Sequence, residues 1–192
     1  MGSSLYNRGA ILAARAAAAE ARRRGSRISF DPNIRPELMG SPEAREALWE
    51  ILETCHLFLR SESDLGFFHP GLTSDEVIKR ILDRPSLQAV ILRRGAAGSS
   101  YVDRKWRIEA RAFEVTEIDP TGAGDCFCGT FLACLVLGVP VEQALVRANA
   151  AGALAVLRRG PMEGNSSKSR LRQFYCGAFR QPSGDARQRR VS

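Results

Sequence analysis

The chain holds 192 residues, 44% hydrophobic, 7% aromatic and 26% charged, which excludes disordered, collagen-like and low-complexity classes and points to one soluble α/β or α+β domain. Its longest apolar run, residues 131–137, stops at Gly138, far short of the roughly 20 residues of a membrane helix. The net charge of +7 is uneven: residues 158–192 hold nine of the 28 Lys/Arg and only Glu163 and Asp185 among the acids, so the rest of the chain is neutral.

That basic end carries Arg187, Arg189 and Arg190 among Gly, Ser, Gln and Pro with no interleaved aromatics. A solvated tail is expected over 177–192, rather than a nucleic-acid surface. The start does not match a secretory signal, because the alanines of 10–21 are broken by Arg15 and Glu20 and the arginine run follows them. Five cysteines contain no C-x-x-C pair, and His56 and His69 stand apart from Cys126, Cys128 and Cys134. Neither a zinc site nor a disulfide framework is expected, and the expected compartment is a reducing cytoplasm.

In chain order, residues 5–24 form an Ala- and Arg-rich helix that stops at Gly25. A short strand over 27–30 ends at Asp31-Pro32-Asn33. Ser41 and Pro42 open a helix to about Thr54, and 56–59 is a buried strand. Thr73 or Ser74 caps a helix through Asp83, and 89–92 is a third strand. Gly95-Ala-Ala-Gly98 turns into a hairpin of 100–102 with 106–108, followed by an extended piece at 113–115. A long apolar helix then runs to about Leu137, and Gly138-Val139-Pro140 separates it from a helix over 141–157, the two packing as a pair. Strands alternating with helices predict a parallel sheet covered by helices, an open α/β sandwich.

The chemistry concentrates at Asp119-Pro-Thr-Gly-Ala-Gly-Asp125. Gly122 and Gly124 let the backbone turn sharply and come close to a ligand. The helix that follows presents unpaired N–H groups and a positive dipole end, a site suited to phosphate. Asp125 falls in its first turn, where a carboxylate repels bound phosphate but serves as a general base toward an attacking hydroxyl. These residues alone also fit a plain stabilised helix start. Two other phosphate motifs are excluded. Gly124 to Gly129 has P-loop spacing but Thr130 replaces the lysine, and Phe127 occupies the third glycine of a Rossmann turn.

The heptapeptide resembles the C-terminal signature of the ribokinase-like (PfkB) carbohydrate kinases, D-T-x-G-A-G-D before an apolar helix. Phe30-Asp-Pro-Asn-Ile-Arg35 is similar to the F-D-P-N-x-R of their 2-keto-3-deoxygluconate kinase, fructokinase and tagatose kinase branch. Leu92–Gly98 resembles the family's nucleotide-side turn, and Arg159–Gly164 its late loop. The resemblance implies a three-layer α/β/α sandwich over residues 1–176, and Asp125 as the base that activates the substrate hydroxyl. Gly122, Ala123 and Gly124 would hold the charge developing on the transferred phosphoryl. Asp119 and Thr121 match positions that bind a monovalent cation such as K+, or serve as ordinary turn formers.

The resemblance also implies nucleotide-side roles for Asn33, Arg35, Arg93, Gly95, Gly98, Gly122, Gly124 and Asn149, with Arg35 reaching phosphate or an acidic sugar. Bland alternatives stand beside these: a solvated Arg35, hairpin glycines at 95 and 98, a surface Asn149. The family's N-x-x-E, which organises Mg2+, falls on Ser61-Glu62-Ser63-Asp64, so Ser61 replaces an amide and Asp64 shortens the acid. Family members begin with a lid and the first strands, which have no counterpart ahead of residue 1, so the chain reads as an N-terminally truncated kinase. The expected activity is ATP-dependent phosphorylation of a sugar or keto-deoxy sugar acid, with ATP and Mg2+ as cofactors and a small sugar as partner. Low turnover is expected of a chain without the lid that excludes water and positions the acceptor. The rivals are a non-catalytic nucleotide-binding fragment and, more distantly, a basic-tail nucleic-acid binder. An exposed sheet edge favours self-association, with a homodimer as the candidate assembly; no membrane contact is expected.

Overall fold

Helix α1 (Arg8–Arg23) is alanine-rich, a composition that favours helix. The Asn7 side chain caps it by accepting the Ala10 N–H at 2.8 Å. It ends at Gly25, whose φ of 64° lets Ser26 N–H reach back to Ala21 O. The computed structural model describes residues 5, 7–34, 41–178 and 186–191. Arg35, expected at the phosphate or sugar, lies outside the described residues. Two units divide the chain: Met1–Leu92 with Val102–Arg104, and Arg93–Tyr101 with Lys105–Ser192.

In the first unit, β1 (Ser29–Phe30) pairs in parallel with β2 (Leu57–Ser61), Ser29 opposite Leu57 and Phe30 opposite Phe58. β3 (Ala89–Arg93) follows in strand order, and its residues 89–92 are buried, as in strands covered on both faces. Between β1 and β2, α2 (Pro42–Thr54) starts on Ser41 with proline in its first turn. Its buried positions 44, 47, 48, 51 and 52 form one stripe at helical spacing. That stripe packs into a core with Phe30, Phe58, Phe68, Ile81, Leu87 and Leu92. Cys55, at the end of α2, is buried there, and desolvation pushes its thiol up to about 12.

Helix α3 (Ser74–Leu82) opens on a capping box, in which the Thr73 hydroxyl and Glu76 carboxylate each serve the other's backbone N–H. Thr73→Ala is therefore expected to cost about 1 kcal/mol, read as a lower urea midpoint at unchanged m-value.

In the second unit, β4 (Ser99–Val102, its last residue assigned to the first unit) and β5 (Trp106–Ala110) form the expected hairpin region. Helices α4 (Ala123–Val136) and α5 (Val141–Ala155) pack closely as a pair. Alanines fill the interior of α5, which allows the close approach. α6 (Lys168–Ala178), not foreseen from the sequence, sets Phe174 against Phe113 at 5.2 Å. Residues 113–115 form no strand.

The basic end departs from expectation. Part of the expected flexible tail, Ala186–Arg190, forms β6, antiparallel to β5 with Trp106 opposite Arg190 and Ala110 opposite Ala186. Strand pairing and side-chain contacts hold the arginines: Arg189 Nη2 is 3.0 Å from Glu109, and the Arg190 guanidinium lies 5.5 Å from the Trp106 ring centre. The sheet is thus mixed rather than wholly parallel. Among the described residues, no helix is long and apolar enough to cross a membrane.

Candidate functional site

The turn that opens α4 is shaped by its own sequence. Pro120 has no N–H, and Asp119 Oδ1 accepts the Thr121 N–H at 2.9 Å to close a tight turn. Gly122 then takes φ 82° and ψ −11°, the left-handed conformation that glycine adopts without strain. Within the first turn, Ala123 N–H bonds Pro120 O and Cys126 N–H bonds Gly122 O. The N–H groups of Gly124 and Asp125 have no backbone partner among the described residues. They lie at the positive end of the helix dipole, and the exposed Asp125 carboxylate sits beside them. Backbone donors and a carboxylate at one helix start can hold an anion and take up a proton.

A loop over 160–165 braces this turn. Gly160 N–H donates to Asp119 Oδ2 at 2.8 Å, and the Cys126 thiol donates to Asn165 Oδ1 at 2.9 Å. A Cβ at position 122 would stand 2.3 Å from Pro161 O, so the loop sits directly against the glycine. These loop contacts were not legible in the sequence. The Thr121 hydroxyl, then the Gly160 and Thr121 N–H groups, draw the Asp119 pKa from 3.8 down to about 2. A depressed carboxylate stabilises the fold above its unfolded pKa, and that contribution disappears as pH falls through the folded value. The gap in melting temperature between wild type and Asp119→Asn is accordingly expected to be full at pH 5, to shrink below pH 4, and to close near pH 2, followed by thermal unfolding across that range.

Arg93 closes the other side of the turn. Its Nη1 lies 3.2 Å from Gly124 O and 3.0 Å from Cys128 Sγ. Gly95 (φ 53°) and Gly98 (φ 94°) are both left-handed, but Gly98 has a tertiary reason as well. A Cβ there would fall 2.1 Å from Ala110 O. Asn149 is buried rather than on the surface, and its Nδ2 donates to Ala110 O at 3.2 Å and Arg111 O at 2.9 Å, tying α5 to the end of β5.

The other expected residues belong to the first unit. Asn33 follows β1 with φ 40°, the one non-glycine with positive φ among the described residues, and its N–H bonds Asp31 Oδ1 at 3.1 Å. Asparagine adopts this conformation more readily than most side chains. Ser61 ends β2. Asp64 lies in the 3-10 segment Glu62–Phe67, with Oδ2 3.3 Å from Arg60 Nη2. Arg60 is fully buried, donates to Asp64 O at 2.8 Å, and lies over the Phe68 ring at 4.9 Å. The sequence hint was a charged residue ending an apolar strand. Asp64 thus has an arginine partner.

The pfkB family carbohydrate kinase model matches residues 4–168, and the chain belongs to that family. It is 32% identical over 150 residues to fructokinase-1 of Oryza sativa subsp. japonica, covering 73% of this chain and 46% of that protein. An E. coli structure named as a candidate ribokinase II, in complex with ATP and Mg2+, matches with a TM-score of 0.88 at 41% identity, over 92% of this chain and 57% of that one. Fructokinase from Vibrio cholerae O395, in a form with fructose, ADP and calcium ion bound, matches with a TM-score of 0.82 at 27% identity, over 90% and 58% of the two chains. The chain spans about half the length of most of the fructokinases it matches.

Proposed function

We propose that this chain carries the phosphoryl-transfer machinery of an ATP-dependent sugar kinase. The observation that carries the reading is the start of α4: a left-handed glycine, two backbone N–H groups without backbone partners and a carboxylate, within four residues. The backbone donors that follow Gly122 fit a terminal phosphate. When bound, ATP supplies the transferable phosphoryl group and Mg2+ offsets its charge. Asp125 takes the proton from the attacking sugar hydroxyl. The N–H groups of the turn hold the charge that develops during transfer. Asp119 and Thr121 stiffen the turn, with a monovalent cation as their additional ligand in this reading. Nucleotide-side roles are proposed residue by residue, for Asn33, Ser61 and Asp64 in the first unit and for Arg93, Gly95, Gly98 and Asn149 in the second.

Fructose is the leading substrate, supported by the fructokinase relatives. Tagatose, ribose and 2-keto-3-deoxygluconate complete the test panel, and a cytoplasmic location belongs to the same reading. The experiment is sugar-dependent ADP formation by the purified 192-residue chain, alongside ATP binding by calorimetry. Turnover with one of the four sugars is expected. ATP binding without turnover would replace this reading with that of a non-catalytic nucleotide-binding protein, and absence of both would overturn it.

A further inference from the structure

Arg93 and Gly124 share one small volume. The guanidinium Nη1 is 3.2 Å from Gly124 O, and a Cβ built on residue 124 would lie 2.8 Å from that same nitrogen. Motif reasoning assigns Gly124 to close ligand approach and Arg93 to the nucleotide pocket. The geometry gives each a further use. The Gly124 carbonyl and the Asp125 N–H belong to one peptide unit, so a charged donor on the oxygen polarises the N–H on its far side. Arg93 terminates β3, and its second acceptor, Cys128 Sγ at 3.0 Å, lies one turn further along α4. Two acceptors on successive turns fix the guanidinium, and through it the peptide that leads into Asp125.

We infer that Arg93 is a positioning residue for phosphoryl transfer: it grips the Gly124–Asp125 peptide so that the Asp125 N–H and carboxylate are held at the anion site, and residue 124 is glycine in order to admit the guanidinium. The inference rests on the kinase reading for its catalytic consequence, but its geometry is testable alone.

The first arm is a double-mutant cycle in thermal unfolding. Gly124→Ala is expected to lower the melting temperature in the wild type and to be neutral or stabilising in an Arg93→Ala background, where alanine is simply the better helix former. Additive effects would overturn the packing claim. The second arm measures inorganic phosphate binding by calorimetry. Arg93→Gln is expected to weaken it by about tenfold, a fraction of the loss of a whole anion-hole donor, with Arg93→Lys recovering part of it; equal binding by all three would overturn the electrostatic claim. The third arm uses turnover of the sugar found active. A fall in kcat with the KM for ATP unchanged supports positioning, whereas a raised KM with kcat intact would return Arg93 to the nucleotide pocket. If the wild type binds no phosphate and turns over no sugar, the kinase reading fails while the first arm still decides the Arg93–Gly124 contact.

Discussion

Asp125→Asn is expected to lower sugar-dependent kcat by about 10²- to 10⁴-fold, the range for loss of a positioned general base. Asparagine has nearly the same shape and remains acceptable at a helix start, so the fold should persist. The loss of one favourable charge–dipole contact costs about 0.3–1 kcal/mol. What asparagine cannot do is accept the hydroxyl proton. The same substitution removes a negative charge from beside the bound phosphates, so ATP should bind as tightly as in the wild type or more tightly. This opposition between turnover and binding separates a base from a binding residue: loss of a binding residue weakens both. Steady-state kinetics and calorimetry on one preparation give both quantities. A variant within a few-fold of wild-type kcat would show that Asp125 serves the helix and not the reaction.

The parts of the fold legible in the sequence were those governed by local rules. The helix over 42–54 announced itself through Ser41 and Pro42. Thr73 or Ser74 did the same for the next helix, and the turn at 119–125 was marked by its proline and glycines. What stayed hidden depends on residues far apart in the chain. Ala186–Arg190 has little intrinsic strand preference, and only the exposed partner edge of β5, with Glu109 and Trp106 beside it, makes those arginines a strand. Beyond its place at the end of an apolar strand, nothing local shows that the Arg60 guanidinium is buried with Asp64 and Phe68. At the candidate site the motif identified the glycines, but a second constraint on Gly124 was not visible in it: a Cβ there would stand 2.8 Å from the guanidinium of Arg93, 31 residues earlier.

Gly122→Ala is expected to be the most damaging glycine substitution in α4's opening turn, at about 2–5 kcal/mol from left-handed strain together with overpacking. The residue holds φ 82°, and its new Cβ would stand 2.3 Å from Pro161 O, a backbone atom. Relief requires the 160–165 loop to move, and that movement breaks the Gly160 N–H bond to Asp119 Oδ2. Phosphate binding should therefore weaken along with stability. Gly129→Ala, in the same helix, provides the comparison. Position 129 has helical backbone and open space around its absent Cβ, so alanine there should stabilise by about 0.5–1 kcal/mol. Urea unfolding of the two variants, with inorganic phosphate titrated into each, measures both effects. Opposite signs at 122 and 129 would show that the first glycine is required by the geometry of the anion-binding turn. Equal and small effects would mean that the 160–165 loop yields freely and does not brace the site.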